Sequence, residues 1–361
     1  MSFARSWGSA LLLLLPACRY LAPGAASELR PVVAPAVKYV DLCAQQPCRD
    51  SVDVIALGVA GYLFMGWRDT THLVMTPPAF RHPSIGRVLL WDFFRGTKPD
   101  TARITRRLAA MPAAAPERLR RVRDVLVGHG HYDHLLDVPP LATRMPAARF
   151  YGSRTVVNLL HGDPALRTRL DAVESLAAYD STRLGTWVTR GPWRFKPFAW
   201  QHARNFPGVT WAPGDVLTPL NGLPRTAAGW MMGRVHGYTL DFMGDDGAPA
   251  CRFIIGDAAA SSRVVARTHE VWRRETPARG TAAIISAGNY DRADAYPDTL
   301  LTLVRPGHVL IGHWEEFFRS PEKSLKRVRG IDGNQLRARV EAVMEDRWTA
   351  LEPGAVLRVR C

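Results

Sequence analysis

The sequence lacks any internal run that approaches the roughly 20 apolar residues needed to span a bilayer, which excludes a polytopic membrane protein. It also lacks the composition of a disordered or collagen-like chain. Hydrophobic residues make up 47%, and the 29 glycines and 27 prolines follow no period. A chain of 361 residues can bury a large core. We find no linker that would divide it.

Lysine and acidic residues are both scarce beside arginine. The 33 acidic residues are outnumbered by 47 basic ones, only five of which are lysine, and the formal net charge is +14. Such an excess would suit binding to nucleic acid, anionic lipid or an anionic substrate. We favour the alternative, an arginine- and alanine-rich composition whose charge is spread over the surface, because no compact basic block occurs. Nucleic acid is therefore not the expected partner.

An export signal is predicted at residues 1–26. Arg5 precedes a short apolar core, residues 11–15, and small residues follow it. An ordinary first helix is disfavoured because Pro16 and Pro23 would interrupt it. The protein is therefore expected in the bacterial periplasm or the cell envelope.

Two processing sites are open in this segment. Cleavage after the small residues 24–26 would start the mature chain near Ser27. Alternatively, residues 15–18 resemble a bacterial lipobox, in which case Cys18 would carry a lipid and attach the protein to a membrane.

Cysteine is also scarce, with five in the chain. Removal or lipidation of Cys18 leaves four, which in an oxidising compartment suggests two disulfides. Cys43 and Cys48 are close in sequence, whereas Cys251 begins a predicted strand and Cys361 ends one. We favour the pairs 43–48 and 251–361; the two other pairings and four free thiols remain open.

The remaining pattern is α/β. We expect residues 27–50 to form an N-terminal extension and residues 51–361 a single domain. Strands are predicted at 52–67, 71–76, 122–127, 148–151, 186–188, 193–200, 235–242, 251–255, 282–286, 308–312 and 355–360. Helices are predicted at 101–111, 135–144, 155–161, 261–274, 297–304 and 333–347. This order predicts packed sheets covered by helices, and the irregular segment 203–232 is long enough to be functional.

The segment from residue 127 to residue 134 carries the strongest chemical signal. His129, His131, Asp133 and His134 place four potential metal ligands within six residues, directly after a predicted strand. Imidazole suits zinc, iron, nickel or copper, and a carboxylate extends the choice to manganese. The pattern therefore predicts a metal site at a strand end.

Three further ligand types follow apolar strands later in the chain. They are His202, Asp257 and His313, and each comes directly after the strand. Alone, each would be an ordinary core histidine, surface histidine or turn residue. Together with the first motif, they indicate one cluster built from four strand ends.

This order of motifs resembles the metallo-β-lactamase fold superfamily over roughly residues 52–318. The resemblance implies an αββα sandwich, that is, two packed mixed β-sheets with helices on the outer faces. It further implies two divalent metal ions, most often zinc, with manganese or iron as alternatives. By the family's pattern, one ion would be held by His129, His131 and His202, the other by Asp133, His134 and His313, with Asp257 bridging the two.

The resemblance also implies a reaction class. A bridging Asp257 is typical of the hydrolases that act on phosphodiesters, esters, thioesters or lactones. Residues 287–290 and the pair 313–314 resemble the branch that contains N-acyl-phosphatidylethanolamine phospholipase D and ascorbate-lactonase-like proteins. Asp133 is the expected catalytic residue, moving a proton to or from the reacting groups. One departure is Thr76, which stands where members often have an aspartate.

Several residues beside these motifs are candidates for contact with a small-molecule or lipid-like substrate. They are Tyr132, His236, Asn289, Tyr290 and Trp314; the alternative for Tyr132 and Trp314 is packing beneath the site. Two other functions stay open. The first is a nuclease of the same fold, and the second is a non-catalytic metal-binding protein of the cell envelope.

Overall fold

The protein is built from two large β-sheets that face each other. The computed structural model describes residues 23–43, 47–88, 96–205 and 209–361. The predicted signal and Cys18 therefore lie almost entirely outside the described residues, which begin at residue 23. Within the described part, no helix is long and apolar enough to cross a membrane.

The first sheet has eight strands among the described residues and is mixed in direction. Its order is β2-β17-β3-β4-β5-β6-β7-β8. Neighbours from β17 to β5 pair antiparallel, whereas β5 to β8 pair parallel, as do β2 and β17. The strands are β2 (Val37–Asp41), β3 (Ser51–Gly58), β4 (Gly61–Gly66), β5 (Leu73–Thr76), β6 (Val122–Leu126), β7 (Arg149–Gly152), β8 (Leu170–Ala172) and β17 (Val356–Arg360).

The second sheet has seven described strands in the order β16-β14-β13-β12-β11-β10-β9. Neighbouring strands from β9 to β12 pair antiparallel, whereas β12, β13, β14 and β16 pair parallel. The strands are β9 (Val188–Arg190), β10 (Trp193–Ala199), β11 (His236–Met243), β12 (Pro249–Ile255), β13 (Gly280–Ser286), β14 (His308–Gly312) and β16 (Trp348–Ala350). A small two-stranded sheet pairs β1 (Gly24–Ala25) with β15 (Lys326–Arg327).

The core lies in three layers because successive side chains of a strand point to opposite faces. Val52 and Val54 of β3 face the second sheet, whereas Ile55 and Leu57 pack against the helices outside the first sheet. The second sheet follows the same alternation; Ile284 lies between the sheets, and its neighbours pack against outer helices. The αββα sandwich expected from the sequence is therefore confirmed.

The helices pack on the two outer faces. Three of the described helices have side-chain N-caps. Asp100 accepts from the N–H of Arg103, Ser153 from that of Val156, and Asp332 from that of Gln335. Their bounds are α1 (Thr101–Ala109), α2 (Pro116–Leu119), α3 (Tyr132–Leu135), α4 (Val138–Ala142), α5 (Arg154–Leu160), α6 (Ser262–Trp272), α7 (Asp298–Val304) and α8 (Gly333–Met344).

The predicted helix at 135–144 was wrong in its form. The chain instead makes two short helices, α3 and α4, with the break at Leu136 and Asp137. Pro139 and Pro140 have no N–H to donate, so they are accommodated in the first turn of a new helix.

The segment predicted as an N-terminal extension, residues 27–50, contributes to the sandwich. Its strand β2 pairs with β17 at the edge of the first sheet. Leu29 is fully buried among the outer residues of the second sheet. The alternation of exposed and half-buried residues in β2 leaves little apolar signal in the sequence.

Two disulfides are present, Cys43–Cys48 and Cys251–Cys361, with sequence separations of 5 and 110 residues. The favoured pairing is confirmed. The second bond joins β12 of the second sheet to the residue that follows β17 of the first sheet. It therefore fastens the two sheets to each other.

Candidate metal centre

The motif after β6 forms a tight turn that enters α3. His129 and His131 lie in the turn, and both are buried. A Cβ atom at Gly128 would lie 2.1 Å from Oδ2 of Asp257, and one at Gly130 would lie 2.1 Å from the carbonyl oxygen of Met231. Both positions therefore require glycine because neighbouring groups approach the backbone closely.

One group of ligand atoms consists of His129, His131 and His202. Nε2 of His129 lies 3.0 Å from Nδ1 of His131. The ring of His202 lies 4.8 Å from that of His129 and 5.0 Å from that of His131, centroid to centroid. Each residue offers one nitrogen within 4.8 Å of the others, an arrangement that could hold a metal ion.

A second group consists of Asp133, His134 and His313. Oδ2 of Asp133 lies 3.3 Å from Nε2 of His313 and 3.6 Å from Nε2 of His134. His313 has a positive φ of 50°, which is uncommon outside glycine. Its N–H donates to the carbonyl oxygen of Val59 in the first sheet, so both sheets fix its position.

Asp257 lies between the two groups. Its Oδ2 is 3.4 Å from Nδ1 of His129 and 3.6 Å from Nδ1 of His134, one residue from each group. The side chain follows β12, whose parallel partner β13 and next neighbour β14 end at the same edge. Four strand ends thus bring the seven candidate ligands together.

Two of the histidines are oriented by backbone carbonyl groups. Nε2 of His131 lies 2.9 Å from the carbonyl oxygen of Trp211, and Nδ1 of His202 lies 2.5 Å from that of Ala203. A nitrogen that donates to a carbonyl carries the proton, which leaves the other nitrogen free as a ligand. Nδ1 of His131 and Nε2 of His202 are therefore the nitrogen atoms that remain available to coordinate a metal ion.

Burial keeps most of these imidazoles neutral. Burial is the main cause that lowers the pKa of His129 and of His131 well below its ordinary value, and it lowers the pKa of His134 to about 3. Burial also acts to lower the pKa of His313, but the hydrogen bond and charge of Asp133 raise it overall. Neutral imidazole is the form that binds metal.

Several buried polar atoms of the cluster make no hydrogen bond to any other described residue. They are Nδ1 of His129, Nε2 of His134, Oδ1 of Asp257 and Nδ1 of His313. A buried polar atom without a hydrogen-bond partner costs free energy unless an ion or a water molecule binds to it. Nitrogen and carboxylate donors suit zinc, manganese and iron, so the residues present match the metals expected from the sequence.

A cavity opens directly onto this cluster. His131, Asp133, His202, Asp257 and His313 form its floor. The other residues around it are Ile85, Val88, Tyr132, Asn205, Trp211, Ala258, Ser286, Gly288, Asn289, Phe317, Phe318, Val328 and Arg329.

The candidate substrate residues are placed differently from one another. Tyr132 and Asn289 line the cavity, whereas His236, Tyr290 and Trp314 are not among its lining residues. The hydroxyl of Tyr290 donates to the carbonyl oxygen of Asp332, and the indole N–H of Trp314 donates to that of Leu351.

His236 also lies away from the cavity, near the start of β11. The backbone N–H of His236 donates to the carbonyl oxygen of Gly128, and burial lowers the pKa of its imidazole to about 4. It thus holds β11 against the turn that carries the metal motif.

Thr76 has a local structural role at the end of β5. Its hydroxyl donates to the carbonyl oxygen of Ala60 and accepts from the N–H of Tyr62. The side chain thus ties β5 to the β3–β4 turn.

Sequence reasoning missed the apolar lining residues. Phe317 and Phe318 follow His313 in an irregular segment, and Val328 comes ten residues later. Their spacing has neither helical nor strand periodicity, so the only available signal was an aromatic pair shortly after a candidate ligand.

Two mixed sheets packed face to face between helices, with a histidine and aspartate cluster at one sheet edge, define the metallo-β-lactamase fold. Residues 93–250 match the family model described as the β-lactamase superfamily domain. The match covers 158 of the 361 residues, and this part of the chain is similar to that superfamily domain. The match contains the motif from His129 to His134 and also His202, and it ends before Asp257 and His313.

A search of curated protein sequences gave no match. Similar solved structures include the metallo-β-lactamase fold protein YhfI from Bacillus subtilis, at 12% identity over 86% of this chain and 100% of that one, with a TM-score of 0.46. Unliganded yeast PDE1 has 12% identity over 84% and 98%, with a TM-score of 0.49. Zinc-bound PqqB from Methylobacterium extorquens has 13% identity over 85% and 99%, with a TM-score of 0.44.

Proposed function

We propose that the protein is a hydrolase that requires two divalent metal ions, with zinc as the first choice. It would cleave a phosphodiester bond, or an ester or lactone bond. The observation that carries this proposal is the convergence of seven ligand-type side chains, five of which line one cavity, with several of their buried ligand atoms lacking a hydrogen-bond partner among the described residues. His129, His131 and His202 would hold one ion. Asp133, His134 and His313 would hold the other.

Asp257 would contact both ions. Its Oδ2 atom lies near a histidine of each group, which supports a shared position. Two ions bound here would activate a water molecule and polarise the bond to be cleaved. The protein's own part is to keep the imidazoles neutral and correctly oriented.

Asp133 is the proposed catalytic residue. It faces the cavity, and its Oδ2 atom lies near both His134 and His313. Burial acts to raise the pKa of the Asp133 carboxyl, but the neighbouring histidines, including the hydrogen bond with His313, outweigh it and hold the pKa well below its usual range. Asp133 would therefore accept a proton as a carboxylate and pass it to the leaving group.

The open cavity favours an enzyme over a non-catalytic metal-binding protein. A purely structural site would be closed by side chains, whereas five of the candidate ligands line the cavity. The nuclease alternative needs a clustered basic groove, and Arg329 is the only basic residue other than the candidate histidines in the described lining. A small-molecule or lipid-like substrate is therefore favoured.

The proposal is tested by metal analysis together with a substrate panel of bis-p-nitrophenyl phosphate, a lactone, a thioester and nitrocefin. We expect close to two metal ions per chain and turnover of one class. The variant Asp133→Asn should reduce kcat by about 100-fold or more, since general acid–base catalysis contributes roughly 10²–10⁴. Asp137→Asn is the matched control because Asp137 is equally buried but lies outside the cavity.

Folded protein that binds no metal after exposure to zinc, manganese and iron would contradict the proposal. Metal binding without turnover of any class would favour the non-catalytic alternative. Turnover of nitrocefin alone would move the reaction to β-lactam cleavage.

We also propose that the protein is exported. Two disulfides support an oxidising compartment. Intact-mass analysis of the full chain expressed in a bacterium should give a product that starts near Ser27, or one that carries lipid on Cys18. A product that retains Met1 and has all five cysteines as free thiols would contradict export.

A further inference from the structure

The wall of the cavity beside His313 is apolar. Val88, Phe317, Phe318 and Val328 contribute to this surface, which we call the apolar wall. Ser286 and Asn289 contribute polar groups to the same lining. A cavity whose lining is mainly apolar with a few polar groups favours a ligand that has both kinds of group.

The two phenylalanines form one continuous surface that reaches the metal centre. The ring centroids of Phe317 and Phe318 lie 4.5 Å apart. The ring of Phe317 packs edge to face against His313, with centroids 5.2 Å apart. Apolar contact can therefore begin immediately beside the reacting atoms.

A buried ion pair fixes the apolar wall in place. The carboxylate of Glu316, which is 1% exposed, accepts from Nε of Arg329 at 2.8 Å and from the N–H of Arg329 at 2.9 Å. It also accepts from the N–H of Phe318 at 3.2 Å. One carboxylate thus holds together two of the three chain segments that supply the wall, and it neutralises the charge of Arg329.

Phe317 and Phe318 are only partly buried by the protein itself. Apolar surface left facing a concave site gains free energy when a ligand removes it from water. A preformed wall also spares the ligand the cost of ordering the protein.

We propose that the apolar wall is the subsite for an uncharged acyl or aryl group attached to the bond that is cleaved. This inference rests on the proposed hydrolase function and names its substrate class. The scissile bond lies at the floor, the apolar group extends along Phe317 and Phe318, and the polar part faces Ser286 and Asn289.

The first test is a chain-length series in whichever bond class is turned over, with acyl or alkyl groups from two to eight carbons. KM should fall by up to about fourfold for each added methylene until the wall is covered. In Phe318→Ala, the ratio of KM for the eight-carbon substrate to KM for the two-carbon substrate should rise about tenfold. Tyr39→Ala is the control because Tyr39 is exposed outside the cavity.

Phe318→Leu separates the two sources of apolar contact. Leucine keeps apolar area but loses the ring, so acyl substrates should retain their KM while aryl substrates bind more weakly. Equal KM values along the chain-length series, or equal losses for short and long substrates in Phe318→Ala, would overturn the proposal.

A second measurement does not depend on turnover. The neutral fluorescent probe N-phenyl-1-naphthylamine should bind the EDTA-treated full chain, and octanol should compete with it. Phe318→Ala should weaken this binding about tenfold, with Tm unchanged. Normal probe binding without hydrolysis would support the subsite while the proposed function fails. Absence of probe binding, or equal binding by Phe318→Ala, would overturn the subsite even in an active hydrolase.

Discussion

Nε2 of His131 lies 2.9 Å from the carbonyl oxygen of Trp211, so a candidate metal ligand is tied to the irregular segment that covers the site. The bond fixes the ring with Nδ1 turned toward His129, 3.0 Å from Nε2 of that residue. The same segment accepts from the N–H of Gly130 through the carbonyl oxygen of Met232. The segment is therefore part of the metal centre's support.

His131→Gln should separate the tether from the ligand. Glutamine reaches the position of Nε2 and can still donate to Trp211, but it provides no nitrogen at the position of Nδ1. We expect zinc content to fall by one ion per chain, with an affinity loss beyond the roughly 10- to 100-fold typical of an outer-shell partner. Metal analysis and competition with a zinc chelator measure this.

His131→Ala is the comparison because it loses both functions. Hydrogen exchange across residues 209–216 should increase in His131→Ala and remain at the wild-type level in His131→Gln. Two zinc ions of normal affinity in the glutamine variant would rule out His131 as a ligand.

Gly128→Ala should disturb Asp257 without disturbing the fold. The added methyl would lie 2.1 Å from Oδ2 of Asp257, so the carboxylate must move away from its place between His129 and His134. We expect metal stoichiometry to drop and kcat to fall by at least about tenfold. Isotope-dilution metal analysis and turnover on the active substrate class check this.

Gly222→Ala is the matched glycine control. A Cβ atom there meets nothing within 4 Å, and its backbone does not need the left-handed conformation. Its metal content should equal that of the wild type, and its stability should change by less than about 1 kcal/mol. Wild-type metal content in Gly128→Ala would remove Asp257 from the ligand set.

The Cys251–Cys361 disulfide should stabilise the protein more than Cys43–Cys48 does. It closes a loop of 110 residues, whereas the other closes a loop of 5. Loop entropy predicts stabilisation of about 5 kcal/mol for the long loop and about 2 kcal/mol for the short one. Urea unfolding of the two double serine variants measures the difference, and equal losses would show that loop entropy does not govern stability here.

Much of the fold could be predicted because its strands carry local signals. Val52 to Trp67 and Cys251 to Ile255 are apolar runs bounded by glycine turns, and the structure has strands there. The edge strand β2 was missed because only one of its faces is partly covered, so Val37 and Tyr39 remain exposed. Local pattern cannot identify a strand whose partner, β17, lies at the other end of the chain.

The candidate ligands could be predicted for the same reason. Each follows a strand, and His202, Asp257 and His313 end at one edge of the second sheet. The apolar wall could not be predicted, because Phe318 and Val328 are brought together by the Glu316–Arg329 ion pair. A contact made by tertiary structure leaves no period in the sequence.

Asp137 lies just after the metal motif and joins it to the residues that follow β5. Its Oδ2 accepts from the N–H of Phe80 at 2.6 Å and from that of Arg81 at 2.8 Å, while Oδ1 is buried without a hydrogen bond from any described residue. Burial raises the pKa of the Asp137 carboxyl to about 6, although the two N–H groups act to lower it.

Asp137→Asn should therefore change how stability depends on pH. Between pH 4 and pH 6 the folded protein binds more protons at Asp137 than the unfolded chain, whose carboxyl has an ordinary pKa of 3.8. The contribution of this group is thus fully present below pH 4 and is lost as pH rises through 6. A shift of this size corresponds to about 3 kcal/mol.

Asparagine carries no charge, so the stability of Asp137→Asn relative to the wild type should increase by about this amount from pH 4 to pH 7. Urea unfolding of both proteins in EDTA isolates the effect, because the site histidines titrate alike in each, and parallel stability curves would contradict it.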